Sequence, residues 1–226
     1  MKLKYFIKTS LAALTLASCA VVTNMIPEDK LPGPLKAVVV DLKKQQAIVE
    51  KKYTSATTLM IDAYGDLAES VGLKKQAAQL KGEANALRAG SGGLEEARKA
   101  IKRTDALRAE VMKAVAAADG KTIQSQSALQ SGFRKRNESY QLRNRLLGDA
   151  LLQIAEATRR FEKAAPMEKA LLTTRLDPFY FMVRDHKRFK QAEQQFETNL
   201  AETRKRVPIP QLPKVVEPTP KLGLQF

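Results

Sequence analysis

From Leu35 to Val71, the apolar residues Leu35, Val39, Leu42, Val49, Tyr53, Met60, Tyr64, Leu67 and Val71 recur at spacings of three, four or seven. That spacing puts them on one face of an α-helix. The pattern predicts a helix from about Leu35 towards Arg88. Gly65, Gly72 and Gly82 lie inside it, and each weakens a helix by about 1 kcal/mol relative to alanine. A bend or break is therefore expected near one of them. "RAGSGG", Arg88 to Gly93, reads as a turn. Leu94, Ala97, Ile101, Leu107, Val111 and Val115 then predict a second amphipathic helix to about Ala118, with Glu95 and Glu96 suited to its first turn.

"ADGK", 118 to 121, is a second interruption, and the polar "TIQSQSALQSG", 122 to 132, reads as a loop or a weak helical connection. A third helix is predicted from about Phe133 to Ala165, with Tyr140, Leu146 or Leu147, Leu151, Ile154, Thr158 and Phe161 inward. Pro166 suits the first turn of a short segment ending near Leu176. "Leu176-Asp177-Pro178" then reads as a restart, with Asp177 as cap. The last helix has the cleanest pattern: Phe179, Met182, His186, Phe189, Glu193, Phe196, Leu200, Thr203 and Val207 form a heptad seam. Two polar residues, His186 and Glu193, interrupt that seam, as residues that fix register or partner do. Residues 207–226 carry Pro208, Pro210, Pro213, Pro218 and Pro220 and predict a proline-rich, extended or disordered tail. The expected fold class is all-α: an elongated antiparallel helical bundle or coiled coil of three to four long helices over residues 35–206.

The N-terminal run has a different character. Lys2, Lys4 and Lys8 precede a short apolar core, Leu11 to Ala17, followed by small residues. This order is the plan of a secretory signal peptide, and the run is shorter than the roughly 20 apolar residues that span a bilayer. "Leu16-Ala17-Ser18-Cys19" contains the single cysteine of the chain and resembles the lipobox of bacterial lipoproteins. The resemblance covers about 20 residues. It implies cleavage of residues 1–18, a diacylglycerol on Cys19 and acylation of its amino group. Two or three acyl chains anchor a protein stably where one does not. Ala20, in place of aspartate, implies delivery to the outer membrane of a diderm bacterium, or the cell surface in a monoderm. Residues 19–34, with Pro27, Pro32, Gly33 and Pro34, then form an extended tether from the lipid to the helical domain.

Composition supports helices: no tryptophan, few aromatics, and abundant Ala, Leu, Glu, Lys, Arg and Gln. The net charge is +15. Loss of Lys2, Lys4 and Lys8 with the leader leaves 36 basic against 24 acidic residues, or +12. Outside the cytoplasm such a chain is drawn to acidic surfaces rather than to nucleic acid: anionic headgroups, lipopolysaccharide phosphates, peptidoglycan carboxylates or an acidic protein. The same charge also serves simply to keep a long helical surface in solution.

The inventory for catalysis is thin. His186 is the sole histidine, and Cys19 is committed to lipid. No GxSxG elbow, P-loop or dinucleotide fingerprint occurs, so neither cofactor nor metal site is expected. The strongest binding signal is "FRKRNESYQLRNR", where Arg134, Lys135, Arg136, Arg143 and Arg145 concentrate charge; arginine's planar fork suits phosphate and carboxylate. Lys187, Arg188 and Lys190 form a second group, and Arg204, Lys205 and Arg206 a third. The expectation is a lipid-anchored, non-enzymatic scaffold or interaction protein of the cell envelope, binding a protein partner or a second copy through its long helical faces. The alternative is a basic helical protein that binds anionic membrane, lipopolysaccharide or peptidoglycan.

Overall fold

A computed structural model describes residues 30–90 and 93–209. The leader, Cys19, most of the expected tether and the tail beyond Ile209 lie outside the described residues. Within them the fold is an all-α bundle of five helices: α1 (Gly33–Ser70), α2 (Lys74–Ala89), α3 (Gly93–Ala117), α4 (Gln126–Lys163) and α5 (Pro166–Arg204). The chain forms two compact units, one holding residues 30–48 and 149–183, the other 49–148 and 184–209.

Of the three candidate glycines, Gly72 makes the break. Its φ is +77°, a left-handed conformation that glycine adopts without a Cβ penalty. The Gly72 N–H donates to the Glu69 carbonyl at 3.1 Å and the Leu73 N–H to the Ala68 carbonyl at 2.9 Å, the paired bonds of a Schellman C-cap. The Gln124 N–H, arriving from the α3–α4 loop, donates to the Ser70 carbonyl at 2.8 Å. The break thus satisfies carbonyls that the end of α1 would otherwise leave open.

α4 starts seven residues before the predicted Phe133. Ser125 Oγ accepts the Ala128 N–H at 3.2 Å, a side-chain N-cap, and the buried Leu129 and Phe133 carry the apolar face back through the polar stretch. Just upstream, Asp119 Oδ1 accepts the N–H groups of Lys121 and Thr122, both at 2.9 Å, and closes the turn.

α5 corrects the restart expected at Asp177-Pro178: the helix is continuous and Pro178 lies inside it. A proline there lacks the N–H for the preceding turn and costs a helix about 3 kcal/mol. Leu172, Leu176, Phe179 and Met182 are all buried on one face spanning the proline, so burial on both sides holds the helix together across it. Pro178→Ala is therefore expected to raise stability by about 1–2 kcal/mol, after allowance for the freer unfolded chain. A thermal melt read by circular dichroism checks this, and a lowered midpoint would contradict it.

In the first unit, Leu31 and Val39 pack together with Leu35 against them. Arg160 pairs with Glu168, and Lys169 Nζ lies 5.3 Å from the Phe161 ring centre. The second unit holds the main core, contributed by all five helices. α1 is its axis: between Tyr53 and Ser70 almost every residue is buried. α1 and α4 run antiparallel, as the pairs Ala56–Ser139, Thr57–Arg143, Asp62–Lys135 and Asp66–Ser131 show. α4 and α5 are antiparallel too, through Arg143–Asp185 and Arg136–Glu193. Gly132 lets α4 approach α1 closely. A Cβ there would lie 2.7 Å from Leu67 Cγ and 2.9 Å from the Ala63 carbonyl oxygen.

Candidate functional site

The centre of α1 carries an unusual load. Thr58, Asp62, Asp66 and Ser70 are buried polar residues spaced four apart, so they form a stripe on one helix face. Burying unpaired carboxylates is costly, and neighbouring helices supply the partners. Lys135 of α4 reaches Asp62 at 2.9 Å and Asp66 at 2.7 Å. Ser131 donates to Asp66 at 2.7 Å. From α2, Lys81 reaches Asp66 at 3.1 Å and also pairs with Glu69, while Arg88 meets Asp62 at 2.6 Å.

Burial alone would raise Asp66, but hydrogen bonds from Lys135, Ser131 and Lys81 outweigh it and hold the carboxyl below the usual aspartate range. A carboxyl depressed in the folded state contributes stability that is present above its unfolded value and is lost as pH falls through the folded one. Unfolding followed by urea from pH 6 down to pH 2.5 is thus expected to show stability falling below about pH 4. In Asp66→Asn that acid-side slope is expected to be shallower, and an unchanged slope would contradict the pairing.

Around the other faces of α1 runs a column of alternating arginine and aromatic side chains. The Arg143 guanidinium lies 4.9 Å from the Tyr53 ring centre and 4.3 Å from that of Phe189. Arg136 lies 5.0 Å from Phe189 and 4.9 Å from Phe196, so Phe189 sits between two cations. Phe196 meets Tyr64 and Phe133 edge-on at 6.5 and 5.8 Å. Arg108 of α3 closes the column, 5.7 Å from Tyr64. Such contacts fall within about 6 Å, where ring quadrupoles attract cations, most strongly when water is excluded.

Register makes the column possible. Arg136 and Arg143 are seven apart on α4, and Phe189 and Phe196 are seven apart on α5. Two helical turns on each helix therefore bring the rows face to face. Arg136 is 1 % exposed and pairs with Glu193. Its Nε and Nη1 find no hydrogen-bond acceptor among the described residues and lie instead against the rings. Burial disfavours its charge, but Glu193 and Tyr64 outweigh that and hold Arg136 above its ordinary value. Burial, opposed by Arg136, holds Glu193 above the usual glutamate range. Arg143 contacts Asp185 at 3.0 Å and Thr57 at 3.2 Å, and the Tyr53 hydroxyl donates to Asp185 at 2.9 Å. Burial raises the Tyr53 phenol and Arg143 opposes it. Desolvation lowers Arg108, which donates to Asp105 at 2.9 Å and to the Ile101 carbonyl at 3.1 Å.

The structure therefore divides the predicted basic cluster. Arg136 and Arg143 are internal, and Lys135 is turned to the α1 carboxylates, so three of the five residues expected to bind anions are engaged within the bundle. Only Arg134, 4.0 Å from Glu138, and Arg145 are exposed. Of the third basic group, Arg206 donates to the Ala116 carbonyl and Lys205 meets Glu202 at 2.7 Å. His186 is half-buried. Glu96 meets Arg103 at 2.8 Å and Glu95 meets Arg98 at 3.4 Å in the first turns of α3. Sequence reasoning missed Asp62, Asp66, Asp185, Tyr53 and Arg108 as members of these networks. It noticed Glu193 in the seam but not its partner; the matching seven-residue spacings on α4 and α5 were the available signal.

Chemically the arrangement acts as a lock on register. Guanidinium groups keep their charge, and each carboxylate facing them is taken up as a counter-ion. Among the described residues, no group of three or more His, Cys, Asp or Glu side chains is placed to hold a metal ion, and no helix is long and apolar enough to cross a membrane. No family model, curated protein or solved structure matches the chain.

Proposed function

We propose that this chain is a lipid-anchored, non-enzymatic scaffold or interaction protein of the bacterial cell envelope, holding a protein partner or a second copy against its helical faces. The observation that carries the anchor is the succession of residues at the start of the sequence: lysines, a short apolar core, then Leu16-Ala17-Ser18-Cys19. The interior supports the non-enzymatic half of the reading. Asp62, Asp66 and Glu193, which are buried, and the half-buried Asp185 are each bound to a cation that fixes helix packing. A bundle held this way presents stable outer faces. Its location would come from the lipid, on the outer membrane facing the periplasm.

Fractionation and crosslinking test this directly. Wild-type protein is expected in the membrane fraction and Cys19→Ser in the soluble fraction or still attached to its leader. Photocrosslinkers at exposed positions of α3 and α5 are expected to capture one discrete species, either a partner or the chain itself. Turnover of a cell-wall or phospholipid substrate that disappears in His186→Ala would overturn the non-enzymatic reading.

A second reading, contact with an anionic envelope surface, is favoured by one observation: between residues 184 and 195 of α5 the acidic side chains pair inward while the basic ones are exposed.

A further inference from the structure

Between residues 184 and 195, α5 has only two acidic residues, Asp185 and Glu193. Both are drawn inward, Asp185 to Arg143 and Tyr53 and Glu193 to Arg136. The basic residues of the same stretch, Arg184, Lys187, Arg188 and Lys190, are all exposed. The internal ion pairs thus strip the outward face of its negative charge. That face extends over 12 residues, about 18 Å at 1.5 Å per residue. The other side chains exposed on it are Gln191, Ala192, Gln194 and Gln195. Arg184, Lys187 and Arg188 form no ion pair among the described residues.

We propose that this face of α5 is a docking surface for the anionic phospholipid headgroups of the bilayer in which the chain is anchored. The proposal rests on the lipid-anchored reading, which places the bilayer within reach of the domain. Charge complementarity selects the ligand. The make-up of the face selects a bilayer over a protein, because stable protein interfaces centre on buried aromatic or other apolar anchors. Here no exposed side chain from 184 to 195 is apolar and larger than alanine. Adsorption would be electrostatic, without insertion, and strongly dependent on salt.

The test uses the mature chain, residues 19–226, carrying Cys19→Ser, so that neither acylation nor the leader contributes. Binding is measured by co-sedimentation with vesicles of phosphatidylcholine alone or with 30 mol% phosphatidylglycerol. Partition is expected only into the anionic vesicles at 50 mM salt, falling steeply by 300 mM. R184Q/K187Q/R188Q is expected to bind roughly 100-fold more weakly, each cation near the surface contributing about fivefold. K74Q/K75Q/K113Q, which removes the same charge from exposed positions on α2 and α3, is expected to bind within about threefold of the unsubstituted chain, and R184K/R188K within about twofold. If the triple variant lost helicity, the single variants R184Q, K187Q and R188Q would read the same effect at about fivefold each. Equal binding to neutral vesicles, no loss in the α5 variants, or an equal loss in the α2–α3 control would overturn the proposal. So would capture of an acidic protein through Lys187 with no affinity for anionic vesicles. Because the test chain carries no lipid, failure here leaves anchoring at Cys19 untouched.

Discussion

Glu193→Gln is expected to destabilise the protein by about 3–5 kcal/mol, the usual consequence of removing one partner from a buried ion pair. The substitution preserves shape and leaves Arg136, 1 % exposed, between Phe189 and Phe196 with no counter-charge. Removing both charges is different. Arg136→Met with Glu193→Leu keeps much of the volume and abolishes two desolvation costs, so the double variant is expected to recover most of the loss or to exceed the wild type. Register is then the quantity to watch. If the pair serves mainly to align α4 with α5, the double variant melts less cooperatively even where its midpoint is high. Urea unfolding followed by circular dichroism gives both numbers, and wild-type stability in Glu193→Gln would contradict the role assigned to the pair.

The second large effect concerns two glycines of opposite sign. Gly132→Val is expected to cost about 3 kcal/mol. Its Cβ would meet Leu67 Cγ at 2.7 Å and the Ala63 carbonyl oxygen at 2.9 Å, the oxygen belongs to a helix backbone that cannot yield locally, and overpacking a core costs about 1–3 kcal/mol before the poorer helix propensity of valine is added. Gly82 is also helical, but a Cβ there meets nothing within 4 Å, so Gly82→Ala is expected to gain about 1 kcal/mol. The same melts check both. Similar shifts for the two substitutions would mean that α1 and α4 are not in the close contact described.

Periodicity made most of the helices legible, because spacings of three and four report a buried face whatever that face touches. It also exposed the seam of α5: of its nine positions, Phe179, Met182, Phe189, Glu193, Phe196, Leu200, Thr203 and Val207 are buried. Local signals failed where packing overrode them. Pro178 reads as a helix start, yet the buried row from Leu172 to Met182 carries the helix through it. Residues 122 to 132 read as polar, yet Ser125 caps a helix that Leu129 anchors. Gly65, Gly72 and Gly82 looked equivalent, and the left-handed backbone at Gly72 singles it out as the break.

The candidate site was least legible for a physical reason. A run such as Arg134-Lys135-Arg136 states charge but not direction, because successive residues on a helix point about 100° apart. One cation faces water, one bridges Asp62 and Asp66, and one is buried against Glu193. Those carboxylates lie 57 to 73 residues away in sequence, beyond any local pattern. The proposed anchor, by contrast, rests on a short contiguous segment and needs no fold to be read.

The mass of the mature N-terminal peptide tests the central claim most directly. The account predicts that the processed chain begins at Cys19 and carries a diacylglycerol thioether, with a further acyl group on its amino nitrogen. A mature chain that begins elsewhere, or a Cys19 with a free thiol, would contradict it.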